Sequence, residues 1–276
     1  MIGRRRSRRV ALDRPPVVVL VIATVAVAFF ALPFLGLLWR VPWSDAWSLL
    51  TEPSSVTALR LSIETSVMAT ILSIVLGVPL AWVLARWGFP GRRIVRALCL
   101  LSLVLPPVVA GVSLFAAYGR RGLLGDELFD WFGIRLPFST AGVVLAQTFI
   151  AMPFLVLTVE AALRGLDRRD EDAARTLGAS RTYAFRRVTL PAIRPALLAG
   201  SVLAWARALG EFGATITFAG NFPGRTQTIP LSVYLALESN PGQALVLSVL
   251  MIGVSFVVLL SLRDRWLGTS DSGVRR

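Results

Sequence analysis

The sequence predicts an all-α membrane protein with six transmembrane helices and both termini in the cytoplasm. Three observations carry that prediction. Of 276 residues, 55% are apolar and only 16% charged, where a typical soluble chain is about 25% charged. Six stretches offer the ~20 mostly apolar residues that a bilayer-crossing helix needs. The arginines are concentrated in alternate connecting segments, as orientation in a membrane requires.

The chain begins with a basic tail, residues 1–14, carrying six arginines. The first span, residues 15–39, holds no charge. A secretory signal has a shorter apolar core, ~7–15 residues, and a small-residue cleavage site. This run is 25 residues long and ends Gly36-Leu37-Leu38-Trp39, so a retained helix is expected. Trp39, Trp43 and Trp47 follow as an interfacial belt at its outer end.

Residues 58–262 form the membrane core, with five further spans. Residues 65–85, 97–119, 139–159 and 244–262 are free of charge. Residues 196–218 are apolar apart from Arg207 and Glu211. Prolines occur in or beside several spans: Pro33, Pro79, Pro106-Pro107 and Pro153. Each removes a backbone donor and can kink its helix. Tolerated kinks and helices bent around a path are both open readings. Gly200, Ala204 and Ala208 lie four apart, the small-residue pattern of close helix packing. Glu64 and Glu160 stand at span edges, where solvated carboxylates are expected. Residues 263–276 form a second basic tail, and no separate soluble domain or regular repeat is evident.

The arginine count sets the orientation. The segments that this topology places in the cytoplasm carry 22 arginines, and the opposite segments carry six. The net charge of +13 is thereby assigned to the positive-inside pattern and to contact with anionic membrane lipid. Nucleic-acid binding is not expected.

Absent residue types exclude chemistry. All 29 basic residues are arginine, histidine is missing, and Cys99 is the one cysteine. Without lysine there is no P-loop for ATP and no Schiff-base chemistry. Without histidine there is no Ser-His-Asp triad. One cysteine makes neither a thiolate zinc cage nor an internal disulfide. The chain is therefore expected to carry no catalytic residue, no metal site and no bound cofactor.

The longest non-membrane stretch, residues 167–195, is too polar to cross a bilayer. Asp170, Glu171 and Asp172 suit a helix N-terminus. Ala173, Ala174 and Leu177 give that helix a small apolar face, and Gly178 ends it in a tight turn. A second short basic helix is expected over residues 180–187, ended by Leu190-Pro191. Such a knob either lies on lipid or receives another protein against its alanines.

In the fifth span Arg207 and Glu211 are i, i+4 and can pair, with Thr215 continuing the face. A lone arginine at mid-bilayer costs roughly 2.5–3.5 kcal/mol, and pairing would offset much of that. A structural ion pair and a gate are both consistent with this spacing. The following stretch, residues 210–230, supplies Thr215, Thr217 and Asn221 as donors for a passing oxyanion without a deep cation trap.

Two motifs carry a resemblance. Asp172-Ala173-Ala174, then Gly178, Val188 and Leu190-Pro191, resembles the coupling loop of ABC importer permeases, E-A-A-x3-G-x9-I-x-L-P. Aspartate stands for glutamate and valine for isoleucine, with the spacing kept. The run Gly210-Glu211-Phe212-Gly213 and its continuation, with Leu105-Pro106-Pro107-Val108-Val109-Ala110-Gly111, resembles the molybdate permeases of that family. The resemblance spans nearly the whole chain and is weakest in the first 50 residues and the C-terminal tail.

This resemblance implies the type I ABC importer permease fold in the cytoplasmic membrane. It implies a permease homodimer with a path between its subunits. It implies two ATP-binding subunits, which hold the ATP and Mg, docked on residues of the coupling loop. It also implies a periplasmic or lipid-anchored binding protein that delivers molybdate. Permeases of the same fold for sulfate, tungstate or ferric iron are the alternatives. An ion-coupled secondary transporter would use Glu64, Glu160, Arg207 and Glu211 as ion sites, but such carriers usually need more spans and paired half-repeats.

Overall fold

A computed structural model describes residues 16–167 and 169–267, the side chains of 181, 259 and 261–267 excepted. The tails expected at 1–14 and 263–276 lie outside the described residues, save for the backbone of 263–267. The described residues form helices and no strand. Among the described residues five helical runs, one fewer than the six expected, are long and apolar enough to cross a membrane.

The chain divides into two units, Met1–Val41 and Pro42–Arg276. The first contains one helix, α1 (Val17–Arg40), apolar along its length with Pro33 inside it. The second contains everything else. There α2 (Ala46–Thr51) leads into the long α3 (Pro53–Arg86), which begins on a proline whose missing N–H is not needed at a first turn. α7 (Thr140–Gly165) starts at Ser139, whose hydroxyl oxygen accepts the Gly142 N–H at 3.0 Å.

α7 is the centre of this unit, and α3, α10 (Leu190–Leu209) and α11 (Gly213–Ala219) pack on it. α3 offers α7 and its other neighbours small buried residues, among them Ala58, Ser62, Thr65, Ala69, Ser73 and Gly77. A Cβ at Gly77 would stand 2.9 Å from Leu155 Cδ2. Close backbone approach of this kind is the main source of helix association where lipid is as apolar as the side chains. Polar groups on α3 find partners within the bundle. Ser73 donates to the Ala69 carbonyl at 2.7 Å, Ser62 accepts the Ile229 N–H at 2.7 Å, and Ser66 accepts the Trp205 indole N–H at 3.0 Å.

The third expected span, 97–119, is broken. It forms α4 (Arg92–Val104) and α5 (Pro107–Tyr118), with Leu105 and Pro106 extended between them. A residue before proline is pushed out of the α region, and two successive prolines lack donors. At 1.5 Å per residue, neither half alone spans a ~30 Å hydrocarbon core.

The fifth expected span, 196–218, is also broken. α10 (Leu190–Leu209) stops at Gly210, and α11 (Gly213–Ala219) restarts after Phe212. α12 (Ile229–Ser239) then precedes α13 (Pro241–Leu267). Between α5 and α7 lies the short α6 (Gly125–Phe132).

Glu160 is not the solvated carboxylate expected at a span edge. It is buried on α7 and forms ion pairs with Arg96 of α4 and, at 2.9 Å, with Arg164 one turn on. Two guanidinium groups offset the burial of one carboxylate. Glu64 is exposed as expected and pairs with Arg60 at 2.6 Å.

Candidate functional site

The loop 167–195 folds as two helical pieces around a glycine. α8 (Arg169–Thr176) carries Asp170, Glu171 and Asp172 in its first turn, where carboxylates complement the helix dipole. Its end is a Schellman turn. The Ala179 N–H reaches the Ala174 carbonyl at 3.0 Å and the Gly178 N–H reaches that of Arg175 at 3.0 Å. Gly178 has φ +89°, a conformation that a side chain rarely adopts, and open space surrounds the position of its absent Cβ. Asp172, Ala173 and Gly178 are exposed, Ala174 is half-buried, and Leu177 is 88% exposed.

The second piece differs from expectation. α9 (Arg181–Ala184) passes through a π-helical turn, Phe185–Thr189, straight into α10. Leu190-Pro191 therefore does not end a helix. The Leu190 N–H bonds five residues back to Phe185 O. Pro191 follows inside this continuous helical run, where its missing N–H leaves one bond of the ladder unmade beside the π turn. Val188 and Leu190 are half-buried and Pro191 is exposed.

Glu171 ties α8 to the end of α3 and to the π turn. Arg86 Nη2, at the end of α3, donates to Glu171 Oε1 at 3.0 Å. Thr189 Oγ1, at the end of the π turn, donates to the same oxygen at 2.8 Å. Three adjacent carboxylates hid this contact in the sequence, since only the fold selects the middle one.

Arg207 and Glu211 pair as expected, Nη1 to Oε2 at 2.6 Å. They do not lie on one continuous helix. Arg207 is in the last turn of α10, and Glu211 sits in the break. Its other oxygen, Oε1, accepts the Ala214 N–H at 3.0 Å in the first turn of α11. The Glu211 side chain is 1% exposed and that of Arg207 32%. Thr215 lies across the break on α11, so it does not continue the Arg207 face. It is buried, and its hydroxyl lacks a partner among the described residues. Thr217 is half-buried and donates to the Gly213 carbonyl at 2.8 Å. Asn221, half-buried, stands in the loop after α11.

The two stretches 105–111 and 210–220 meet. A Cβ at Gly213 would lie 2.6 Å from Pro107 Cβ, and one at Gly111 would lie 2.6 Å from Thr217 Cβ. The two half-helices α5 and α11 thus touch backbone to side chain at both glycines. A further polar side chain escaped the sequence reading. Gln147 of α7 is fully buried, with neither amide atom partnered among the described residues.

Residues 73–276 match the family described as "Binding-protein-dependent transport system inner membrane component". The chain belongs to this family. It is thereby an inner-membrane permease component with several spans, the non-catalytic part of a transport system. The chain is 48% identical over 243 residues to the molybdenum transport system permease protein ModB of Mycobacterium tuberculosis, covering 88% of this chain and 92% of that one. It is 42% identical to the ModB protein of Escherichia coli K12, covering 79% and 95%. It is 36% identical to the sulfate transport system permease protein CysT of Salmonella typhimurium, covering 81% and 80%. Among solved structures, a bacterial ABC transporter that imports alginate aligns with a TM-score of 0.72 at 17% identity, over 90% of this chain and 93% of that one. The methionine ABC transporter MetNI aligns at 0.58 and 18%, over 76% and 93%. This permease therefore shares the fold of ABC importer membrane subunits.

Proposed function

We propose that this permease is the membrane subunit of an ATP-driven molybdate importer. The observation that carries the reading is the identity gradient: 40–48% to molybdenum permeases over most of the chain, against 34–36% to sulfate permeases. The contact of Gly213 with Pro107 supports it, because the two stretches involved are those that resemble molybdate permeases.

The assembly follows from the chemistry that this chain lacks. With no lysine in its sequence, it has no P-loop, so ATP and Mg reside on separate subunits. Two permease copies form a homodimer, two ATP-binding subunits dock on the cytoplasmic loops, and an outer binding protein delivers the anion. On this reading α4 and α5 together make the sixth crossing, both termini lie inside, and residues 167–195 face the ATPases. Asp172, Ala173, Ala174 and Gly178 meet the ATPase, while Val188, Leu190 and Pro191 join the loop to α10. The exposure of Leu177 and Ala173 supports that assignment.

The path for the anion lies beside the α10–α11 break. Thr215, with a hydroxyl to spare, Thr217 and Asn221 offer donors, and Arg207 offers positive charge held in check by Glu211. An oxyanion needs such donors, and a neutralised cation avoids trapping it. Import needs only binding and release, so no covalent step is assigned to this chain.

The test is uptake at nanomolar molybdate in a strain lacking this gene, with and without excess sulfate. Loss of molybdate uptake that sulfate does not compete for supports the reading. Intact molybdate uptake with impaired sulfate uptake would transfer the chain to the sulfate permeases.

A further inference from the structure

We infer that Glu171, beside the motif carboxylate Asp172, is the positioning residue that delivers movement of the coupling loop to the membrane helices. The inference rests on the reading that this loop docks on an ATPase.

Three carboxylates open α8, and the fold gives them different tasks. Asp170 and Asp172 are exposed, and Glu171 turns inward. One oxygen of Glu171 accepts from both Arg86 and Thr189. Arg86 closes α3, and its side chain is 9% exposed, against 23% for Glu171. Thr189 is buried and closes the π turn that continues into α10. A single carboxylate therefore joins the docking helix to α3 and α10 at once. Those two helices pack on each other and on α7, so a pull on α8 reaches the centre of the bundle through two charge-assisted bonds.

Two further observations fit a lever. A cavity of about 390 Å³ separates α8 from the end of α3, walled by Trp82, Trp87 and Phe185 beside the latch. It leaves α8 room to pivot about its pinned residue. The π turn inserts one extra residue per turn at the junction with α10, and such bulges recur at functional sites. Without the latch, α8 would be joined to α10 only through the glycine turn and this wide turn. A push from the ATPase would then be absorbed locally. Asp172 keeps its carboxylate free for the partner, which separates docking from transmission.

The experiment uses the importer purified with its ATPase and reconstituted in liposomes, reading molybdate transported per ATP hydrolysed. Glu171→Gln is expected to keep the ATPase bound and hydrolysing while uptake per ATP falls about tenfold, the scale on which coupling positions act. Thr189→Val removes one donor only and should give a smaller loss. The exchange Arg86→Glu with Glu171→Arg restores the pair with its charges reversed and should recover much of the ratio. A Glu171→Gln complex with normal uptake per ATP would overturn the inference. So would loss of the ATPase from that complex, which would place Glu171 at the docking surface. Failure of the exchange to restore the ratio where both single changes lower it would also overturn it. A wild-type chain that purifies without an ATPase would sink the underlying reading, and the inference with it.

Discussion

Arg207 and Glu211 meet at 2.6 Å across the end of α10, and the second oxygen of the same carboxylate receives the Ala214 N–H at the start of α11. One buried side chain thus joins the two half-helices and satisfies one of the backbone donors at the start of α11. Glu211→Ala removes both bonds and leaves Arg207 without its partner. Stripping one member from a buried pair costs about 3 kcal/mol or more, reduced here because Arg207 is partly exposed. The expected result is lower membrane abundance and a lower melting temperature in detergent, with Glu211→Gln less affected because it can still accept from Ala214. Normal stability with lost uptake would make the pair a gate instead.

Gly213 and Gly111 hold α5 against α11. Gly213→Ala forces a methyl to within 2.6 Å of Pro107 Cβ, and Gly111→Ala does the same to Thr217. Overpacking of this sort costs about 1–3 kcal/mol. Thermal unfolding of the purified variants should show both destabilised, whereas Gly36→Ala, with open space around it, should match the parent.

Gly178 separates two effects in one position. Its φ of +89° makes Gly178→Ala unfavourable by about 1 kcal/mol locally, with nothing in this chain in the way of the methyl. A bulky residue there should leave the permease in the membrane yet abolish uptake, because the added side chain projects where the ATPase docks. Co-purification of the ATPase from Gly178→Leu membranes decides it: the expected outcome is loss of the partner with permease abundance close to the parent.

Gln147 of α7 gives a prediction about stability. Its amide is buried without partners among the described residues, and such groups are rare. Gln147→Leu replaces it with an apolar side chain and should leave the melting temperature of the purified permease equal or higher. A stability loss would instead assign the amide a structural role.

Much of this architecture is readable from residues 15 to 262, and the failures have physical causes. The apolar runs announce α1, α3, α7 and α13, because a bilayer demands length above all. The breaks at Leu105-Pro106 and Gly210-Phe212 are harder, since proline and glycine also occur in continuous transmembrane helices. The Pro106-Pro107 pair carried a usable signal, because two donors are missing in succession. α12, only 11 residues long, gives no span-length signal and follows a polar loop. The loop spacing from Asp172 to Pro191 marks out the proposed docking surface. It does not show Glu171, because neighbouring carboxylates are equivalent until α3 and the π turn close around one of them.

The central claim, that this permease conducts molybdate under the control of a separate ATPase, is tested most directly by reconstitution. The purified permease, its ATPase and the binding protein are placed in liposomes, and labelled molybdate is followed with and without ATP. The account predicts accumulation that needs ATP and all three components, and that excess sulfate leaves largely intact. Accumulation by the permease alone, driven by an ion gradient without the ATPase, would contradict it.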